Sequence, residues 1–142
     1  MALFTDGEIR RRAKKEMLRP QNTFKSQNII LDEATSAFSK YKTYDIFLSH
    51  SSKDSELILG MKGILEDHGY SVYVDWVDDP QLDRNKVTKK TASKLRERMS
   101  CCNSLFFVTT SNSESSKWMP WECGYFDGLK EKVAIVPVKS NS

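Results

Sequence analysis

Cysteine is scarce in this sequence: there are three, with Cys101 and Cys102 adjacent and Cys123 alone. An odd number so placed gives no disulfide framework, so a packed core must hold the fold. No Cys/His group has metal-ligand spacing, since His50 and His68 fall on different elements, and no structural metal is expected. No apolar run approaches the roughly 20 residues that cross a bilayer. The opening MALFTDGEIRRRAKKEM puts its charges after a short apolar stretch and lacks the apolar core of a secretory leader. These absences lead to the expectation of a cytoplasmic chain with no membrane partner. The familiar nucleotide and hydrolase signatures are also missing: no Gly-Lys-Ser/Thr phosphate loop, no G-x-G-x-x-G and no G-x-S-x-G. Ser49 and His50 are neighbours, but a catalytic triad requires contact in space, and no third member is evident.

What is present is 142 residues, enough for one core with a short N-terminal addition. The net charge of +3 is unevenly placed. Residues 1–42 hold nine Lys/Arg against five Asp/Glu, giving +4; residues 43–142 hold thirteen against fourteen, giving −1. The division is thus a basic N-terminal helical segment, 1–42, and a main domain, 43–142. A nucleic-acid partner is not expected, because the main domain has no basic face with stacking aromatics.

Residues 6–19 read as a charged helix stopped by Pro20, with Ile9, Ala13 and Met17 as a thin apolar stripe. Both a solvated helix and a partner-binding helix are compatible with that pattern. Residues 21–31 read as a loop with an extended piece at 29–31, after which Asp32 caps a helix over roughly 33–40. From Tyr44 the pattern becomes strand and helix in alternation. YDIFLS is a strand, and Ser52 with Ser55 and Glu56 resembles a helix-capping arrangement. The helix it opens carries Leu57, Ile58, Met61, Ile64 and Leu65 at helical spacing and ends near Asp67, with Gly69 at a left-handed cap position. Residues 70–74 form a second strand, 75–85 an acidic loop, and 88–99 a helix with Ala92, Leu95 and Met99 on one stripe. Residues 104–109 form a third strand, apolar through its centre as buried parallel strands are. A serine-rich loop, a helix over 118–129 and a fourth strand over 133–138 follow. This alternation predicts an α/β domain: a mostly parallel, doubly wound sheet with helices on both faces. One more helix–strand–helix stretch would complete five strands, so the fifth strand is expected to be missing.

Such sheets bind ligands outside the carboxyl ends of their strands, at the topological switch point. That rule selects Ser49, His50, Ser51 and Asp54; Asp75, Trp76, Asp78 and Asp79; and Trp118, Trp121 and Glu122. Trp118 and Glu122 are four apart and share a helix face. A carboxylate beside an indole can hold a vicinal diol while the ring stacks on a planar ligand. The structural readings stand beside this one. Trp118 can anchor a helix start, Glu122 can answer the helix dipole, and Ser49 and Ser51 can be turn residues.

YDIFLSHSSKDSE, VYVDW, SLFFVTTSNSESSKWMPWECGYFDG and VAIVPV occur in order and at intervals that resemble Toll/interleukin-1 receptor (TIR) domains, above all bacterial ones. The resemblance covers about residues 43–138 and implies a flavodoxin-like sheet of order 2-1-3-4. Many such domains cleave NAD between nicotinamide and ribose, using a glutamate in a W-x-x-x-E arrangement on the third helix. The resemblance therefore implies Glu122 as the catalytic residue, with Phe47, Ser49, Asp75 and Trp118 on the substrate. NAD is then substrate and no separate cofactor is implied. The expected partners are other TIR domains by self-association and an effector that reads a nucleotide product, in anti-phage defence or immune signalling. The alternative is a non-catalytic TIR module that signals by homotypic assembly.

Overall fold

A computed structural model describes residues 4–51, 53–74, 89–111 and 118–138. The elements are α1 (Asp6–Met17), α2 (Gln27–Ser36), β1 (Tyr44–Ser49), α3 (Ser55–Asp67), β2 (Val72–Val74), α4 (Lys89–Ser100), β3 (Cys102–Thr109), α5 (Trp118–Lys130) and β4 (Val133–Pro137). The four strands form one parallel sheet in the order β2-β1-β3-β4, the order expected.

Alternation along the strands divides the core into two layers. Ile46, Leu48, Val72, Val74, Val108 and Val136 face α3, whose Leu57, Ile58, Met61 and Leu65 cover them. Phe47, Tyr73 and Leu105 face the other way, onto Ala92, Leu95 and Met99 of α4 and Phe126 of α5. Both faces of β1 are therefore buried from Ile46 onward, which explains the apolar run Ile46–Leu48. The cover thins toward β4. Phe106 and Phe107 are half-buried and Ile135 is 68% exposed, so the third and fourth strands are less enclosed than their composition suggests. Gly69 takes φ +92° just past α3, the left-handed cap its position calls for.

The N-terminal segment shares this core. Thr5 caps α1 by accepting from the Glu8 amide at 3.3 Å, and Ile9 and Ala13 are fully buried against α3. The approach is close enough to require glycine. A Cβ on Gly60 would lie 2.0 Å from the Ile9 carbonyl oxygen, and one on Gly63 2.7 Å from the Arg12 guanidinium carbon. Arg12 then reaches over the crossing to Asp67, Nε to Oδ2 at 2.8 Å, and to Glu16 at 3.1 Å. Neither a solvated helix nor a helix awaiting a partner describes α1: its stripe is docked on its own chain.

The second helix corrects the sequence reading. Residues 29–31 are helical, because Ser26 rather than Asp32 is the cap and its Oγ accepts from the Ile29 amide at 3.2 Å. The β-branched pair Ile29–Ile30 suggests an extended piece, but docking overrides that weak preference. Leu31 and Thr35, one turn apart, both point inward, and the Thr35 hydroxyl lies 2.6 Å from the Val74 carbonyl oxygen. The helix ends at Ser36, and Phe38 beyond it stacks on Tyr44 and meets Tyr73 edge-on. The acidic loop at 75–85, the serine-rich loop at 112–117 and the capping role of Ser52 lie outside the described residues.

Candidate functional site

In a sheet of this order, α3 leaves β1 toward β2 while α5 leaves β3 toward β4. The switch point is therefore the crevice between the carboxyl ends of β1 and β3. Ser49 is the last residue of β1, paired in register with Phe107 of β3. Its side chain shares the α4/α5 face with Phe47, two residues earlier. Glu122 is the fifth residue of α5, whose first turn tolerates Pro120 because its missing amide hydrogen is not needed there.

These two residues meet. The Ser49 hydroxyl donates to Glu122 Oε1 at 2.8 Å, and both are buried, Glu122 with 3% of its surface exposed. A hydroxyl donor suits an ionised carboxylate, which can only accept and offers about four lone-pair positions. Burial strengthens any interaction it makes with a developing positive charge.

The other expected residues fall as follows. Phe47 is wholly buried, two residues before Ser49 on the same face of β1, with its ring 5.5 Å from that of Tyr73. Trp118 is the first residue of α5, one turn before Glu122; its side chain lies outside the described residues, as does all of Asp75. Trp121, half-buried, stacks on Tyr125 at 5.6 Å within the helix. His50, Ser51 and Asp54 are buried after β1, with His50 Nδ1 3.2 Å from the Ser51 carbonyl oxygen. Cys123 follows Glu122, but burial and then the nearby Asp127 raise its thiol above the ordinary value, which argues against a thiolate nucleophile. Among the described residues, no group of three His, Cys, Asp or Glu could hold a metal ion. No helix of the described residues is long and apolar enough to cross a membrane.

The sequence named Ser49 and Glu122 separately but did not join them, since 73 positions lie between. It also missed a bond from Thr110 to Asp54 across the same crevice. The available signal was only that both residues sit at strand carboxyl ends.

No model of a known protein family matches the chain. It is similar to a protein of Bacillus cereus (strain MSX-D12) named "Probable 3' cyclic ADP-D-ribose synthase ThsB'", with 51% identity over 144 residues, 100% of this chain and 75% of the relative. It is also similar to the "Putative cyclic ADP-D-ribose synthase TIR2" of Cytobacillus dafuensis, with 36% identity over 85 residues, 59% of this chain and 22% of that protein.

Proposed function

This chain belongs to the bacterial TIR-domain proteins, and from that premise we propose that it cleaves the nicotinamide–ribose bond of NAD with Glu122 as the catalytic group. The observation that carries the reading is the buried Glu122 carboxylate, held by Ser49 at 2.8 Å beside the β1/β3 switch point.

The chemistry follows from charge. In NAD the nicotinamide ring nitrogen is cationic, so the electron pair of the breaking C–N bond returns to it and a neutral leaving group departs. No acid is needed. Positive charge grows on the ribose, as it does in glycoside hydrolysis. A fixed carboxylate stabilises that charge and accepts from the ribose hydroxyls at no reorganisation cost. Ser49 keeps the carboxylate aimed, and Trp118 and Asp75 contact the substrate on the same reading.

The product is a cyclic ADP-ribose, in keeping with the names of both relatives. Cyclisation requires a nucleophile within the same dinucleotide to reach the anomeric carbon before water does. A deeply buried carboxylate suits a site that excludes water. The nucleotide serves as a signal read by an effector in anti-phage defence, formed in the cytoplasm by TIR domains that self-associate. Incubating the concentrated protein with NAD and separating the products tests this. Nicotinamide with an equal amount of a cyclic nucleotide is the expected result; ADP-ribose alone would remove the cyclase reading, and no nicotinamide would remove the enzyme.

A further inference from the structure

The two strand ends that form the switch point are tied to each other. Thr110, directly after β3, donates its hydroxyl to Asp54 Oδ2 at 2.6 Å, and Asp54 is only 6% exposed. Asp54 occupies the N-cap position of α3, yet its side chain makes no capping hydrogen bond. An Asp there ordinarily accepts from the first-turn amides, a contact worth about 1 kcal/mol. This carboxylate is turned across the crevice instead. The length is that of a charge-assisted O–H···O⁻ bond, among the stronger kinds in proteins.

Each end is fixed in its own strand end. The Asp54 amide donates to the Ser51 carbonyl at 3.2 Å, and the Asp54 carbonyl accepts from the Ile58 amide at 2.9 Å. On the other side, the Thr109 carbonyl accepts from the Val138 amide at 3.1 Å. The bond therefore links the ordered start of α3 to the ordered edge of β3 and β4.

We infer that Asp54 and Thr110 are positioning residues, a tether that sets the spacing of the two strand ends and so the alignment of Glu122 with the reacting sugar. The inference rests on the proposed role of Glu122. Ser49 leads into the segment ending at Asp54, and Glu122 follows the segment beginning at Thr110. A change in their spacing shifts the carboxylate relative to the anomeric carbon. Neither residue needs to touch substrate for this. A purely structural tie would stabilise the fold and leave the turnover of folded protein unchanged.

The test uses the full chain as wild type, Thr110→Val, which keeps the shape and removes the hydroxyl, and Thr110→Ser, which restores it. Misplacement of this kind should lower kcat of Thr110→Val at least about ten-fold with KM within about two-fold, while Thr110→Ser stays near wild type. Amide hydrogen exchange of residues 50–54 should quicken at least about ten-fold in Thr110→Val with the centre of β3 unchanged. An unaltered kcat in Thr110→Val, equal impairment of Thr110→Ser, or a kcat loss matched by loss of folded protein overturns the inference. A wild type that releases no nicotinamide overturns the reading of Glu122, and with it the catalytic half of the inference. Unchanged exchange in Thr110→Val overturns the tether itself.

Discussion

A single hydroxyl, that of Ser49, ties the end of β1 to the carboxylate of Glu122 on α5. Removing it takes one donor from a buried carboxylate, a loss of about 1.5–3 kcal/mol for a hydrogen bond to an ionised group. Ser49→Ala should therefore lower kcat by about ten- to a hundred-fold, if the bond is needed to aim the carboxylate at the transition state. Steady-state kinetics separate the cases: a rise in KM with kcat intact would assign Ser49 to substrate binding alone. Cys102 offers no competing chemistry at this scale. Burial above all, then the adjacent Cys101, pushes the Cys102 thiol from 9.0 up to about 12, far from any thiolate role near neutrality. Residue types at strand ends were enough to nominate Ser49 and Glu122. Their contact was not legible, because no local pattern reports an approach between positions 73 apart.

Among the elements, the crossing of α1 over α3 depends on the missing side chain of Gly60. An added methyl would sit 2.0 Å from a backbone oxygen, which cannot swing aside as a side-chain end can. Gly60→Ala should destabilise the protein by about 1–3 kcal/mol, the usual range for overpacking. Denaturant unfolding measures this, and a midpoint unchanged from wild type would show that α1 does not dock as described. The sequence carried a hint of this crossing: Gly60 and Gly63 lie on one side of a helix, and Ile9 and Ala13 are spaced to meet them. It was hidden because glycine in a helix is usually read only as a weak helix former. The start of α2 was hidden for a related reason. Ser26 is a good cap, but the apolar run Ile29, Ile30, Leu31 reads as extended until Val74 is known to receive Thr35.

For the molecule as a whole, a parallel, doubly wound sheet was legible because strand and helix periods alternate cleanly from Tyr44 onward, while its order β2-β1-β3-β4 was implied by the TIR resemblance. That topology places the crevice between β1 and β3, where strand-end position makes Glu122 one of several candidate ligand groups and the TIR resemblance singles it out. The central claim is that this one carboxylate carries the chemistry. Glu122→Gln keeps the size and can still accept from Ser49 while removing the charge. With concentrated protein and NAD, nicotinamide release by Glu122→Gln should fall at least about a thousand-fold, with thermal unfolding close to that of wild type. Nicotinamide release at the wild-type rate from folded Glu122→Gln would contradict the account.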